Sequence, residues 1–567
     1  DISYRARSKN HCMKIDTKAV WDRFFGLISL ERKDIYQIFY YALFAGVVSL
    51  SLPLGIQAII NLIQGAQISN SWVILVVLVT LGVVFTGALQ IMQLRIIETL
   101  QQRIFTRSSF EFSYRFPKIR MSQLRNLYPP ELANRFFDTL TLQKGLSKIL
   151  IDVPTALIQI VFALILLSFY HPFFIIFGLL LMVLILVVFK FTAKKGLETS
   201  LYESKNKYKV AHWIQEIARS VISFKLSGST NLGINKNDDL VNGYLKARES
   251  HFKILMIQFI QMITFKVIVT ASLLLIGGAL VLNQEMNIGQ FVAAEIIILL
   301  VIASVEKLIL GLESFYDTLT SLEKIGQIVD KDLESQTGET PQFSKGLSIE
   351  LENVTYEVSN REKHILKDVS LKINSKSRIL INGESGSGKS TLLRLISGVV
   401  EATGGHVYVN DMSIHSLHLN FFRSQLGLSL SDENPFEGSI RENLTFSNTA
   451  ISDEKIHEVL EIVGLRDFLK EQPDGLNTIL EPDGRQMSYT LSKKIVLARA
   501  ILKNPKVLIL EDALDRFNRS ETKNIVDYLS HPDRPWALVV VSFSKVWIDK
   551  CAEIITLEKG RIKSKTN

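Results

Sequence analysis

The chain has 567 residues, of which 47% are hydrophobic, with a mean hydropathy of +0.21 and a net charge of +8. This length indicates more than one domain, because single hydrophobic cores stop growing near roughly 250–300 residues. The two cysteines, Cys12 and Cys551, lie at opposite ends of the sequence, which excludes a disulfide framework and a cysteine-based metal site and suits a protein that faces the cytoplasm.

The first segment, residues 1–35, is basic and is predicted to form an amphipathic elbow. Trp21, Phe24 and Phe25 alternate with charged residues at helical spacing. We interpret this helix as lying on the inner surface of a membrane. The alternative is a solvated tail that contains a chance aromatic cluster.

Residues 36–312 are predicted to form an all-α transmembrane domain with six helices. Each apolar stretch is close to the roughly 20 residues that a helix needs to cross a bilayer. The stretches are about 36–63, 72–94, 150–170, 173–192, 256–282 and 288–311. Core helices of a soluble protein can mimic one such stretch, but six with alternating charge between them favour a membrane protein.

The links between these stretches predict which side of the membrane each part of the chain faces. The links 95–149 and 193–255 are long and rich in lysine and arginine, whereas the other three are short and nearly uncharged. By the positive-inside rule, both long links and both chain ends are cytoplasmic. We therefore predict a multi-pass membrane protein, in contact with the lipid bilayer. The basic charge then needs no nucleic acid partner.

Three residues in this domain are singled out. Pro53 is predicted to kink the first membrane helix. Pro129 is predicted to begin a short transverse helix in the middle of the first long link, where a plain loop is the alternative. Glu295 lies about 12 Å inside the last apolar stretch, at about 1.5 Å per residue, where a carboxylate is costly. We interpret Glu295 as lining a translocation cavity, and a structural contact with another helix is the alternative.

Residues 313–346 read as a linker, and a strand pattern begins in the segment 347–567. An apolar strand at 378–381 leads into a phosphate-binding loop and then into a leucine-rich helix. The loop residues are Gly383, Glu384, Ser385, Gly386, Ser387, Gly388, Lys389, Ser390 and Thr391. Glycines let backbone N–H groups wrap a polyphosphate, the lysine reaches the terminal phosphates, and Ser390 ligates Mg²⁺. The sequence therefore predicts ATP and Mg²⁺ as cofactors.

The whole chain resembles a half-size ABC exporter. The resemblance rests on the six membrane segments followed by the motifs at 383–391, 439–444, 497–500 and 507–510. The membrane part, through residues 51–61 and 131–135, is most similar to the bacterial branch that exports peptides and proteins, including type 1 secretion transporters. The resemblance implies an α/β nucleotide-binding domain with a parallel core sheet, an antiparallel subdomain and a helical insertion near 420–500. It also implies a domain-swapped dimer, either of two copies or with a second half-transporter, and a periplasmic adaptor as a further partner. The location that the resemblance implies is the bacterial inner membrane.

Carried over position by position, the resemblance assigns site residues and exposes departures from the family pattern. It assigns Tyr356 to adenine stacking, Ser488 to nucleotide contact, Glu511 to Mg²⁺ and Asp512 to a weak general base. The departures are Ser431 for the glutamine of the loop linking nucleotide and membrane domains, Tyr489 and Thr490 for the two signature glycines, and Phe543 for the switch histidine. The acidic pair is also inverted, with Glu511 before Asp512.

These departures predict weak ATP hydrolysis. Asp512 is shorter than glutamate by one methylene, and misplacing a base by about 1 Å costs roughly 10²-fold in rate. Phe543 has no group that can hydrogen-bond a phosphate. Tyr489 and Thr490 put side chains where bare backbone approaches a phosphate. In this family, each ATP lies between one chain's phosphate loop and the other chain's signature, so a homodimer would have two poor sites.

Three functions follow from the sequence. The leading one is an exporter subunit that uses ATP binding more than hydrolysis to move a peptide, protein or amphipathic cargo. The second is a non-transporting, ATP-sensing scaffold within a secretion assembly. The third is a lipid or small-molecule exporter, which differs from the first only in its cargo.

Overall fold

The computed structural model describes residues 17–65, 70–125, 127–344, 346–358 and 364–566. The chain divides into two compact units. Unit 1 comprises Asp1–Pro117 and Leu127–Lys331, and unit 2 comprises Lys118–Asn126 and Asp332–Asn567. The short segment within the first long link thus belongs by its contacts to unit 2.

The described part of unit 1 is helical. Its helices are α1 Thr17–Leu30, α2 Arg32–Ser49, α3 Ser51–Gln64, α4 Asn70–Arg115, then, after α5 Met121–Leu124 of unit 2, α6 Pro129–Ala133, α7 Asp138–Tyr170, α8 Phe173–Arg219, α9 Val221–Leu226, α10 Leu232–Ser272, α11 Gly278–Leu282 and α12 Ile288–Val329. A π-helical turn at Leu273–Gly277 joins α10 to α11.

The prediction of six apolar helices is confirmed. Six helical stretches of the described chain are long and apolar enough to cross a membrane: Arg32–Gln64, Asn70–Lys118, Pro129–Tyr170, Phe173–Arg219, Leu232–Leu282 and Ile288–Val329. The first stretch breaks at Leu50, between α2 and α3. Pro53 explains this break, because its ring clashes with the carbonyl four residues earlier and it has no N–H to donate.

The long helices extend beyond any bilayer. Helix α8 has 47 residues. At about 1.5 Å per residue such a helix is about 70 Å long, against about 30 Å for the hydrocarbon core. A short helix begins at Pro129, as predicted, and α9 occupies the corresponding place in the second long link.

Helix α1 packs on protein along one face. Val20 and Phe24 are buried, and the rings of Phe24 and Phe315 lie 5.6 Å apart. Arg23 donates to Glu323 at 2.6 Å and also pairs with Asp330, so the helix is tied to the end of α12. The helix is therefore amphipathic as predicted. Its membrane-surface position remains a prediction.

Unit 2 contains a parallel sheet with helices and a separate antiparallel sheet. Its strands are β1 Ile349–Glu357, β2 His364–Ile373, β3 Arg378–Asn382, β4 Gly404–Val409, β5 Met412–Ser413, β6 Leu426–Ser429, β7 Gly438–Ser439, β8 Ile479–Leu480, β9 Val507–Glu511, β10 Ala537–Val541, β11 Glu553–Glu558 and β12 Arg561–Thr566. Its other helices are α13 Lys389–Ile396, α14 Leu419–Ser424, α15 Ile440–Thr445, α16 Asp453–Ile462, α17 Arg466–Lys470, α18 Tyr489–Leu502 and α19 Arg519–Ser530.

The larger sheet has the order β12-β11-β3-β10-β9-β6, and the five strands from β11 to β6 run parallel. Strands β9 and β10 are buried along their whole length. Continuous apolar runs of this kind are typical of parallel strands that are covered on both faces. The smaller sheet, β2-β1-β4-β5, is antiparallel, and helices α14–α18 fall in the predicted insertion. The predicted α/β architecture is confirmed.

We expect Arg23→Ala to destabilise unit 1 by about 1 kcal/mol, because two carboxylates then lose a partly buried partner. This corresponds to a drop of about 2–4 °C in unfolding temperature. Thermal unfolding of the purified chain in detergent, followed by tryptophan fluorescence, measures it. Arg32→Ala, at an exposed arginine of the next helix, is the control. An equal drop in both variants would contradict the proposed tie between α1 and α12.

Candidate nucleotide site

The predicted phosphate-binding loop connects β3 to α13, and its glycines have backbone angles that other residues rarely adopt. Gly383 has φ +150° and Gly388 has φ +105°. A Cβ atom at Gly388 would lie 2.8 Å from the side chain of Leu366 and 2.9 Å from the carbonyl of Ile365. Gly388 also stands directly before the first residue of α13. The loop N–H groups and the positive end of this helix are therefore suited to bind a polyphosphate.

Lys389 lies folded onto this loop. Its Nζ donates to the carbonyl of Gly383 at 2.7 Å and to that of Glu384 at 2.9 Å. The same ammonium lies 5.2 Å from the centre of the Phe543 ring. Phe543 is 69% exposed. The position predicted for a phosphate-sensing histidine therefore presents an apolar ring beside the phosphate-binding lysine.

A cavity of about 320 Å³ borders the loop. Its lining residues are His364, Ile365, Glu384, Ser385, Gly386, Ser387, Glu558 and Lys559. Nδ1 of His364 lies 2.6 Å from Oε1 of Glu357. The cavity thus joins the phosphate-binding backbone to one imidazole ring and one lysine.

Tyr356 does not line this cavity. Its ring is 6% exposed and belongs to the hydrophobic core of unit 2. The guanidinium of Arg125 lies 4.9 Å from the ring centre and donates to the phenol oxygen. This burial speaks against the adenine-stacking role predicted for Tyr356, because stacking needs an open ring face.

Three carboxylates lie at the end of β9 or just after it. Glu511 ends the strand and is buried, with Oε2 accepting a hydrogen bond of 3.3 Å from the backbone N–H of Ser431. Asp512 has a left-handed backbone with φ +47°. Burial, then the charges of Asp515 and Glu511, raise the pKa of Asp512 to about 6, and Lys389 opposes the rise. Ser542 holds Asp515 by donating a hydrogen bond of 2.7 Å.

The candidate Mg²⁺ ligands are Ser390 and Glu511. A hydroxyl and a carboxylate are the oxygen donors that Mg²⁺ prefers, and both residues stand at the carboxyl edge of the parallel sheet, after β3 and at the end of β9. The donor set fits the ion when a nucleotide supplies further oxygens. Bound there, Mg²⁺ would neutralise phosphate charge. Among the described residues, no group of three or more His, Cys, Asp or Glu side chains could hold a metal.

The signature residues begin α18. Ser488 caps the helix, and its Oγ accepts a hydrogen bond of 3.2 Å from the N–H of Leu491. Tyr489 is 41% exposed, and two cations lie near its ring. The guanidinium of Arg516 is 4.5 Å from its ring centre, and the ammonium of Lys493 is 5.4 Å from it. Thr490 is half-buried. Side chains thus occupy the surface that the family pattern keeps as bare backbone.

Glu295 lies in α12 of unit 1, far along the chain from the nucleotide site. It is half-buried, and no hydrogen bond or ion pair joins it to another described residue. The alternative, a structural contact with another helix, thus has no polar partner in the described chain. Its role in a cavity remains a prediction.

Comparison with known proteins identifies the family. The family described as "ABC transporter transmembrane region" matches residues 35–305, and the family described as "ABC transporter" matches residues 366–515. The chain belongs to the ABC exporters. It carries one transmembrane region and one nucleotide-binding domain, the arrangement of a half-size exporter, and is a multi-pass membrane protein.

The relatives of this exporter include toxin translocation proteins. The "Toxin RTX-I translocation ATP-binding protein" of Actinobacillus pleuropneumoniae is 29% identical over 306 residues, which are 54% of this chain and 43% of the relative. The "Leukotoxin translocation ATP-binding protein LktB" of Mannheimia glucosida is 28% identical over 287 residues, which are 51% of this chain and 40% of the relative. The chain spans less than half the length of these curated relatives.

A solved structure shares the fold of this exporter. The structure of a bacterial Atm1-family ABC exporter with ATP bound matches with a TM-score of 0.82 over 95% of this chain and 96% of that chain. The identity is only 16%, so this likeness concerns the fold alone.

Several residues of the site were missed by the sequence analysis. His364 lies in a strand pattern with no motif around it. Arg125 is distant in sequence from the ring that it covers. Lys493 and Lys494 gave the strongest available signal, because lysines directly before the apolar run 495–498 must either face water or bind buried partners.

We expect Asp512→Asn to stabilise unit 2 at neutral pH. Because the folded pKa of Asp512, about 6, lies above the usual value for aspartate, ionising it destabilises the fold. This penalty is absent below about pH 4, grows as the pH rises through 6, and is complete above it. The unfolding temperature of Asp512→Asn should therefore exceed that of the wild type by about 2–4 °C at pH 7.5 and by much less at pH 4.5.

The matched control is Asp467→Asn, which removes an aspartate that is 92% exposed and pairs with Lys470 on the surface. We expect this control to leave the unfolding temperature unchanged at both pH values. A stabilisation by Asp512→Asn that is the same at pH 4.5 and 7.5 would show that the charge of Asp512 is not its cause.

Proposed function

We propose that the chain is the ATP-binding subunit of a bacterial inner-membrane exporter that moves a peptide, protein or amphipathic cargo out of the cytoplasm and hydrolyses ATP weakly. The observation that carries this proposal is the contact between Lys389 and Phe543. The phosphate-binding loop keeps its glycine backbone and lysine, while the neighbouring switch position offers no hydrogen-bonding group. A site of this kind favours binding over hydrolysis, and binding alone shifts a conformational equilibrium when two states differ in affinity.

The proposed cargo rests on the relatives. Proteins whose names state toxin, leukotoxin or hemolysin translocation match about half of this chain. The lipid or small-molecule exporter remains the alternative with a different cargo, and ATP-dependent movement of a secreted peptide into proteoliposomes separates the two. Failure to move any cargo would favour the ATP-sensing scaffold.

The proposed assembly is a domain-swapped dimer, with a second copy or with a better hydrolysing half-transporter, and with a periplasmic adaptor as a further partner. Exposed apolar residues on α9 support a second chain. Ile222 is 69% exposed and Leu226 is 82% exposed, on a helix of the second long link, which we predict to be cytoplasmic. Apolar residues clustered in this way are typical of protein interfaces.

The first test is ATP binding and turnover by the purified protein in lipid, compared with Lys389→Ala. We expect the wild type to bind ATP and Lys389→Ala to lose at least about tenfold in affinity, because the variant removes the charge beside the phosphates. We expect turnover no higher than that of the variant. Turnover that Lys389→Ala abolishes would overturn the proposal of weak hydrolysis.

A second test repairs the two groups of departures separately. One set is Glu511→Asp, Asp512→Glu and Phe543→His, and the other is Tyr489→Gly and Thr490→Gly. In a homodimer each site takes its base from one chain and its signature from the other, so each set alone should leave turnover low. Together they should raise turnover by on the order of 10²-fold. High turnover after one set alone would show that the other group of departures is harmless.

We further propose that His364 contacts the base of the nucleotide. Tyr356 is buried, and residues 357–363 contain no aromatic side chain. His364 is the one ring among the described residues that line the cavity beside the loop. Base stacking on a ring is worth about 1–3 kcal/mol.

His364→Ala should therefore weaken ATP binding by about tenfold while leaving the binding of inorganic tripolyphosphate unchanged, since tripolyphosphate has no base. Competition against a fluorescent ATP analogue measures both affinities. The control is His457→Ala, at an exposed histidine of α16. Equal losses for ATP and tripolyphosphate would assign His364 to the phosphates instead.

A further inference from the structure

Lys493 is a buried cation that the proposed mechanism does not use. It lies in α18 and is 1% exposed. Its Nζ donates to the carbonyl of Ser431 at 2.7 Å and to the carbonyl of Glu433 at 2.5 Å. Both carbonyls belong to the loop that follows β6, where the family pattern has the glutamine that links the nucleotide and membrane domains. An ammonium in this position satisfies the backbone of that loop from the side of α18.

The same loop is bonded to the carboxylate that ends β9. The N–H of Ser431 donates to Oε2 of Glu511 at 3.3 Å. Ser431 therefore uses its N–H toward β9 and its C=O toward α18. We call Lys493, Ser431, Glu433 and Glu511 the Lys493 clamp.

The energetics oppose opening of this clamp. An ammonium that is buried without hydrogen bonds costs several kcal/mol, so the loop cannot leave Lys493 unless water or another acceptor replaces its carbonyls. Burial lowers the pKa of Lys493, and the negative charges of Glu433, Asp432 and Glu511 oppose that effect. The attraction to these carboxylates adds to the two hydrogen bonds and keeps the loop in place.

A second contact ties α18 to the core. Arg516, in the loop after β9, lies over the ring of Tyr489, and Lys493 lies on the same ring at a longer distance. Cation–π contacts of this kind are attractive, because the ring face carries negative charge density. The helix that begins with the altered signature is thus held to the core by contacts that involve two of the departures, Ser431 and Tyr489.

We propose that Lys493 is a positioning residue that fixes the loop 431–433 against Glu511 without nucleotide. In the family pattern a glutamine, whose longer side chain can reach a bound nucleotide, stands in place of Ser431. Ser431 is too short to do so, and Lys493 holds the loop permanently from the other side. The nucleotide-binding core and the helical insertion then move as one body, and ATP adds little to the order of this loop. The ATP part of this inference rests on the proposed nucleotide binding.

Hydrogen exchange of the full-length protein in lipid tests the clamp. In the wild type without nucleotide, we expect the amide of Ser431 to be protected, and ATP to slow its exchange by less than about twofold. In Lys493→Gln the amides of 431–433 should exchange at least about tenfold faster without nucleotide, and ATP should slow them. The control Lys494→Gln removes the adjacent buried lysine, which bonds instead to Gly464 and Glu521, and should leave residues 431–433 unchanged.

Two results would overturn the proposal: exchange in Lys493→Gln as slow as in the wild type, or wild-type exchange that ATP slows about tenfold or more. If Lys493→Gln does not fold, the comparison of wild-type exchange with and without ATP still decides. If wild type and Lys389→Ala bind ATP equally poorly, the proposed function is wrong. The comparison of wild type with Lys493→Gln without nucleotide then still tests the clamp.

Discussion

The carboxyl edge of the parallel sheet determines where the candidate nucleotide-binding residues of unit 2 lie. Strands β3, β10 and β9 are neighbours, with Ile381 and Glu511 both in register with Val541. Because parallel strands end at the same edge, the phosphate-binding loop after β3, the carboxylates after β9 and Phe543 after β10 come together. The buried apolar strands make this edge rigid. A loop wrapped around a polyphosphate needs such rigidity, since its glycine backbone has no side chains to hold it.

Three residues that depart from the family pattern each contact a lysine or arginine of unit 2. Lys389 lies against Phe543, Arg516 lies against Tyr489, and Lys493 bonds to the loop that contains Ser431. A buried or half-buried cation is stable only when an aromatic face, a carbonyl or a carboxylate accompanies it. Three of the departures, Phe543, Tyr489 and Ser431, thus each have a lysine or arginine as a partner within unit 2.

Unit 1 obeys a different constraint. Inside a bilayer each backbone N–H and C=O needs a partner within the chain, so apolar segments become helices. Once a helix leaves the bilayer it requires other partners. Helix α1 provides them at the end of α12, through Arg23 and a ring contact with Phe315. Glu31, which lies between α1 and α2, is buried, and its carboxylate pairs with Arg103 and Arg107 of α4.

Short-range pattern was enough to predict much of this protein. The six apolar stretches, the helix that begins at Pro129, the phosphate-binding loop and the α/β class of unit 2 each depend on local spacing, hydropathy or a compact motif. The interactions that determine these features act between residues close together in the chain. A single sequence is therefore enough to predict them.

Only the tertiary structure decided how distant residues meet. Tyr356 fits an adenine-stacking position by sequence, yet it is buried under Arg125, which is more than 200 residues away in the chain. His364 gains its importance from the loop beside it, and Lys493 from two carbonyls contributed by a different segment. Burial and charge pairing depend on the whole packed core, and no local pattern of residues reports them.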